Sequence, residues 1–352
     1  MNVDYLIVGC GLAGISFAEV LFQNNKSFVV INDNSQNSTK IAGGLYNPVV
    51  LKRFTEAWQA TRQVKLMYDF YRKVEEKLDC KLFNEDVPVI RKFFSIEEQN
   101  NWFIAADKKN LSNFLSTTII SKPYQFINSE FGFGKVNHSG FVDTALLQNE
   151  YSKFLMENNL LINETFDYSK LQLEENGCNY KQIRAKKVVF AEGFGMNKNP
   201  FFNYLPLDGT KGELLVIKAP KLEIDAIINA SVFILPLGND LFKVGATYNW
   251  SDKTDLPTFE GKSELITKLK ELISCDFEVV DHLAGIRPTV NDRRPLLGRH
   301  PKFSNLFVLN GLGTRGVMLG PDMAYQLYDF IENDTELERE ININRYVSRY
   351  VS

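Results

Sequence analysis

Cysteine is scarce and scattered. Cys10, Cys80, Cys178 and Cys275 form no CxxC pair and no dense framework. That excludes a disulfide-stapled scaffold and reads as free thiols in a reducing compartment. Histidine is as sparse: His138, His282 and His300 have no metal-ligand spacing with cysteines or acids, so no metal site is expected. No apolar run approaches the ~20 residues that span a bilayer. The short apolar run at the N-terminus is interrupted by Asp4 and turns directly into glycines, unlike a signal peptide. Neither sign of charge dominates, since 40 Lys+Arg against 43 Asp+Glu leave a net charge of -3. This balance argues against a general nucleic-acid footprint, although a local basic patch stays open. Internal repeats and low-complexity tracts are absent as well. What is left is a chain of 352 residues, long enough for two domains and a large core. The expectation is a soluble, cytoplasmic protein with no membrane span.

The most informative stretch is "VDYLIVGCGLAGISFAEVLFQNNKSFVVIND". Val3–Val8 reads as a short apolar strand, Ile15–Phe22 as a largely apolar helix, and Phe28–Ile31 as a second strand. Gly9, Gly11 and Gly14 between them fit a βαβ dinucleotide turn: the first for the tight turn, the second for approach to a pyrophosphate, the third for helix–strand packing. Leu12 and Ala13 open the helix, whose free N–H groups and dipole favour phosphate. A ribose-binding residue belongs about 20 residues further on. Asn32 holds the usual end-of-strand register and Asp33 offers the charged acceptor, so either serves. A plain structural turn is the competing reading of the glycines.

Residues 38–48, "STKIAGGLYNP", form a second small-residue loop. Ser38, Thr39, Ala42, Gly43 and Gly44 could wrap a pyrophosphate or a ribityl chain there, or form an ordinary turn. Residues 56–81 read as an amphipathic helix whose aromatics belong to the core. Asp143 or Thr144 is expected to cap a helix after the Ser139-Gly140 turn. "LINETFDY" and "LQLEEN" read as strands. Val188–Phe190 end in the small turn Ala191-Glu192-Gly193, which suggests a return to the first parallel sheet. Residues 213–218, 231–236 and 241–247 read as short antiparallel strands of a second domain, followed by a mainly helical segment, 259–275.

A second glycine turn precedes a helix near the other end, in "GLGTRGVMLGPDMAYQLYDFI", residues 311–331. Arg287 stands before Pro288, which disfavours helical backbone, and a buried guanidinium there would pair with a carboxylate in bidentate fashion. A structural ion pair is the other reading. Arg293, Arg294, Arg299 and His300 are expected to face solvent, with Asp292 bracing the loop.

Taken with the N-terminal fingerprint, "GIRPTVNDRRPLLGRHPKFSNLFVLNGLGTRGVMLGPDMAYQLYDFI" resembles the D-amino-acid oxidase superfamily of FAD-dependent amine oxidoreductases, most nearly its glycine and sarcosine oxidase branch. The resemblance implies an α/β fold with an α+β second domain: a discontinuous, Rossmann-like FAD-binding parallel-sheet domain and a mainly antiparallel substrate domain. The implied boundaries are 1–60, 139–204 and 280–352 for the first and 61–138 with 205–279 for the second. The first glycine turn, with Gly193, would hold the ADP portion of FAD. Gly311, Gly313, Thr314, Arg315 and Gly316 would place a helix N-terminus beneath the flavin, where negative charge gathers on reduction.

By the same resemblance Arg287 binds the substrate carboxylate and Lys243, in "LFKVGATY", helps activate oxygen; an exposed strand lysine is the alternative. Two departures count. No cysteine lies between 276 and 352, and Gly285 falls about where the sarcosine branch attaches its flavin, so noncovalent FAD is expected. Thr247 stands where that branch has an active-site histidine. Tyr46, Tyr248 and Trp250 are candidates for the pocket wall, with core packing as the other reading of each. The implied reaction is oxidation of an amino acid or N-substituted amino acid to an imine, by an oxidase or a dehydrogenase. The partners are a small amine or amino acid and oxygen or another acceptor. The glycine turn is also similar to the oxidase domain of the bifunctional enzyme that matures the tRNA wobble uridine, which puts tRNA second to a small amine. A flavin-bearing binding protein without turnover is the third reading.

Overall fold

The computed structural model describes residues 1–121 and 124–351. β1 (Asn2–Val8) buries Tyr5, Leu6, Ile7 and Val8 and ends at Gly9; α1 (Leu12–Gln23) leads back to β2 (Phe28–Asn32). α2 (Ala60–Leu78) follows, and α3 (Thr144–Glu157), β3 (Leu161–Asn163) and β4 (Ile183–Phe190) continue. The chain then builds β5 (Thr210–Lys218), β6 (Phe233–Gly238), β7 (Leu241–Gly245), α4 (Phe259–Leu272) and β8 (Glu278–Arg287). β9 (Leu306–Asn310) and α5 (Gly316–Glu332) close the circuit.

The parallel part of the first sheet runs β3-β2-β1-β4-β9, and antiparallel strands at Leu171–Glu174, Gly177–Tyr180 and Leu296–Arg299 extend it. Val8 faces Ile31 on one side and Phe190 on the other, and Phe190 faces Val308. The carboxyl ends of these strands are therefore level, the place where open parallel sheets bind ligands. Gly9 takes φ +104°, and a Cβ there would lie 2.4 Å from the Ala191 carbonyl oxygen. α1 is buried from Ala13 to Leu21 because α3 and α5 cover it on the side away from the sheet. Asp143 is the cap of α3, accepting from the Leu146 N–H at 2.9 Å.

The second sheet has the antiparallel order β8-β5-β7-β6, continued by shorter strands from residues 89–136 and 227–229. α4 packs its Leu265, Leu269 and Leu272 beneath it with Leu215, Ile217 and Val244. Helix α2 belongs elsewhere. Val64, Met67, Phe70, Tyr71 and Val74 share the core of β1, α1 and α5, and the Tyr71 hydroxyl donates to the Val317 carbonyl at 2.9 Å. Lys77 pairs with the buried Glu19 of α1. Residues 61–78 thus pack on α5 and α3 of the first unit, whereas the sequence expectation put 61–138 in the second. Amphipathicity reveals that a helix has a buried face, not which core receives it.

Two further expectations change. "LINETFDY" yields only the short β3 before a 3-10 turn at Tyr168–Lys170. His300 does not face solvent: it is 3% exposed, stacks on Phe303 and accepts the Lys302 and Phe303 N–H groups on Nδ1, both at 3.1 Å. Burial lowers its pKa from 6.5 to about 4. The unfolded chain takes up this proton first, so the contribution of His300 to stability is complete above pH 6.5 and is lost as pH falls towards 4. Thermal melts should therefore show a steeper loss between pH 6.5 and 4.5 in the wild type than in His300→Asn. Parallel slopes would refute this assignment. Asp292 does brace its loop, accepting from the Arg294 N–H, Arg345 and Tyr346. Among the described residues no helix is long and apolar enough to cross a membrane, and no cluster of His, Cys, Asp and Glu could hold a metal.

Candidate active site

A cavity of about 520 Å³ runs from the level strand ends of the first sheet to the face of the second. Gly9, Gly11, Leu12 and Ala13 line one end, together with Asn32 and Asp33. Ser38, Thr39, Ala42, Gly43 and Gly44 line its middle. Gly193, Gly313, Thr314 and Gly316 complete that wall. Gly14 lies outside it: a Cβ there would sit 2.0 Å from the Gly9 carbonyl oxygen, so its bareness serves the packing of α1 on the turn. Gly311 also faces away, towards Val290 and Leu296.

The two candidate ribose residues divide the work. Asn32 accepts the Cys10 N–H at 3.1 Å and donates to Asn34, so it braces the glycine turn. Asp33 accepts the Ser35 N–H at 3.0 Å. Burial pushes its pKa up, but bonds from Ser35 and Thr165 outweigh this and hold it below the usual range. A charged acceptor therefore lines the cavity at neutral pH. Thr39 ties the second loop to the first by accepting the Leu12 N–H at 3.0 Å. Glu192, which sequence reasoning passed over, also lines this end. Tyr168 and Asn199 bond its carboxylate, yet burial raises its pKa to about 7. An acid inside the small turn after a parallel strand was the available signal.

At the other end Arg287 closes β8 opposite Thr210 of β5. Its guanidinium lines the cavity, donates to the carbonyls of Lys211 (3.4 Å) and Thr247 (3.3 Å), and lies 4.5 Å over the Tyr248 ring. No carboxylate pairs with it among the described residues. Burial pushes its pKa below the ordinary arginine value. Gly212 makes the room: a Cβ there would fall 1.9 Å from Arg287 Nη2. Leu214, Phe233 and Tyr248 supply apolar wall beside it.

The remaining candidates lie off the cavity. Tyr46 is 1% exposed and stacks on Phe83, because in the short strand Leu45–Tyr46 it is Leu45 that faces the cavity. Trp250 is 44% exposed and is not part of the lining. Lys243 stands behind the second loop, its ammonium 3.1 Å from the Ala42 carbonyl, and burial lowers its pKa although Asp143 opposes this. Arg315 is not part of the lining and feels the charges of Arg293 and Arg294, and its buried Nη1 has no hydrogen-bond partner among the described residues.

This donor set suits a dinucleotide cofactor: small residues where side chains would fill the cradle, the start of α1 where Thr39 takes the Leu12 N–H and the N-cap Gly11 has no side chain of its own, and a charged acceptor past β2. The glycine oxidase of Bacillus subtilis is 28% identical over 158 residues, covering 43% of this chain and 42% of that protein. The tRNA 5-methylaminomethyl-2-thiouridine biosynthesis bifunctional protein of Marinobacter nauticus is 27% identical over 187 residues, covering 47% of this chain and 30% of that one. The chain thus aligns with less than half the length of these curated relatives. Iminodiacetate oxidase from Chelativorans sp. BNC1 shares the fold with a TM-score of 0.78 at 19% identity, over 96% of this chain and 98% of that one. Residues 4–329 match the DAO family model, described as FAD dependent oxidoreductase. With the level strand ends and the glycine cradle, that match over most of its length makes this chain a member of the FAD dependent oxidoreductase family.

Proposed function

We propose that the protein oxidises a carboxylate-bearing amine, an amino acid or N-substituted amino acid, and that Arg287 reads the carboxylate. The observation that carries this is the partly buried Arg287 guanidinium, open to the cavity and without an acidic partner among the described residues. A desolvated cation of this kind is costly unless an anion completes it, and the guanidinium fork matches two carboxylate oxygens. FAD, when bound, supplies the hydride acceptor that turns the amine into an imine. The chain's own residues hold and orient. Gly9 to Ala13, Asp33 and the loop 38–44 would cradle the cofactor, while Phe233 and Leu214 give apolar wall beside Arg287 and the exposed Tyr248 ring lies against its guanidinium. A side chain at Gly285 would meet Ile41 Cδ1 at 2.4 Å, which favours FAD held without a covalent link. The two sheets then act as cofactor and substrate units, with α2 counted in the first.

The experiment reads both halves of a turnover. Holoprotein that releases intact FAD on acid denaturation should bleach anaerobically with glycine, N-methylglycine or iminodiacetate and much less with methylamine. Oxygen should then restore the colour; Lys243 stands behind the second loop, so its charge acts at a distance, and Lys243→Met should slow that step by no more than about tenfold while leaving bleaching near wild type. Bleaching by none of these amines sinks the reading and leaves a flavin-bearing binding protein. Equal change in both half-reactions removes Lys243 from the oxygen step.

A second reading is oxidative removal of a carboxymethyl group from a modified tRNA wobble uridine. The unpartnered Arg315 Nη1 beside Arg293 and Arg294 favours it, as a local site for phosphate; the net charge of -3 does not extend it. Bleaching by carboxymethylated tRNA alone would select it.

A further inference from the structure

The side chain of Lys211 is fully buried, near the start of β5, which is flanked by β8 on one side and β7 on the other. Its ammonium meets Asp252 Oδ2 at 2.5 Å, the Leu256 carbonyl at 2.5 Å and Thr254 Oγ1 at 3.3 Å. An ammonium has three donors, and all three are used on oxygens of one segment, the strap from Tyr248 to Thr258 that joins β7 to α4. Burying a charge for this purpose is expensive, and a well-packed apolar residue would serve stability as well or better. The cost points to position rather than strength.

The strap crosses the rim of the site. It begins at Tyr248, whose ring lies under the Arg287 guanidinium, and at Thr247, whose carbonyl accepts from that guanidinium. Asn249 pairs with the Lys211 backbone in both directions, at 2.9 and 3.0 Å. Further along, Lys253 bonds Asp208 and the Gly209 carbonyl, and Asp255 accepts from Asn37 beside the cofactor loop. The strap ends where Glu213 takes the Thr258 N–H at 2.9 Å. Lys211 thus works in two directions at once: its carbonyl accepts from Arg287 and its ammonium holds the segment that carries Tyr248.

We propose that Lys211 is a positioning residue, latching the strap so that Tyr248 and the Thr247 carbonyl hold the Arg287 guanidinium in one orientation for a carboxylate. This rests on the reading of Arg287 given above. Two measurements need no turnover. Trypsin should cut after Lys253 at least tenfold faster in Lys211→Met holoprotein than in the wild type. Acetate, titrated against the flavin spectrum, should bind about tenfold more weakly. With a carboxylated amine the variant should raise KM by a similar factor while the limiting rate of anaerobic bleaching stays within about twofold, and Lys211→Arg should recover part of the KM. A merely structural lysine would lower the melting temperature without that split.

Wild-type cleavage and wild-type acetate affinity in Lys211→Met overturn the proposal. If that variant does not fold, Asp252→Ala, at the partly exposed end of the latch, decides. It should shift both quantities about threefold, and no shift overturns the proposal too. If acetate binds the wild type but no carboxylated amine bleaches it, the functional reading fails while the latch is still judged by cleavage and acetate. If acetate leaves the wild-type spectrum unchanged, the carboxylate role of Arg287 falls and takes the latch's purpose with it.

Discussion

Replacing Arg287 by alanine should lower kcat/KM for a carboxylated amine by roughly 10²–10³-fold, equivalent to about 3–4 kcal/mol. Both affinity and the rate of flavin bleaching should fall, because the carboxylate fixes the α-carbon as well as binding it. Lysine at 287 should restore only part of the loss, since charge returns without the planar fork. The informative comparison is the amino acid against its decarboxylated amine. The wild type should prefer the acid strongly, and Arg287→Ala should lose most of that preference with its FAD in place. Gly212→Ala should fail the same way with the arginine intact, because the new methyl group occupies the guanidinium's own space. A preference that survives Arg287→Ala would mean that the carboxylate is read elsewhere.

Gly14→Val should emerge from purification without FAD. The added Cβ would lie 2.0 Å from the Gly9 carbonyl oxygen and 3.0 Å from its carbon, both backbone atoms that no rotamer change can move. α1 must then draw back from the turn, and the N–H groups at its start leave the cavity wall. Overpacking of this kind costs about 1–3 kcal/mol of stability, while the displaced cradle should weaken FAD by more than about 10²-fold. The absorbance ratio of flavin to protein and a titration of apoprotein with FAD measure both. Stoichiometric flavin bound at wild-type affinity would refute the packing argument.

The front of the fold was legible because local pattern and global role coincide there. Five apolar residues around Asp4, three glycines and a second apolar strand can build little but a parallel pair with a phosphate turn, and β4 announces itself by the same strand-to-small-turn rhythm. The substrate side was less legible. β8 is an edge strand, so "EVVDHLAGIR" shows little of the hydrophobic run that marks a central one, and Arg287 is visible only through its proline. Lys211 and Gly212 carry no pattern at all, and Glu192 is marked only by its place in the small turn after β4. Lys211 reads as a surface lysine until the fold brings Asp252 to it. Tyr46 and Trp250 show the opposite error: Tyr46 leaves the cavity because in a strand one residue decides the face, and Trp250 sits in an exposed bend outside the lining.

The position of β9 has a consequence for how the protein is made. The strand lies between β4 and the antiparallel strand Leu296–Arg299, and the turn that follows it supplies part of the cavity wall. A ribosome delivers β1 and its phosphate turn first, but β9 and α5 only some three hundred residues later, after the whole second unit has emerged. The nascent chain must therefore hold an exposed edge of β4 open and keep its neighbours from pairing there. Flavin capture is then a late event, and cellular supply of the cofactor should act on the finished chain, not on the growing one.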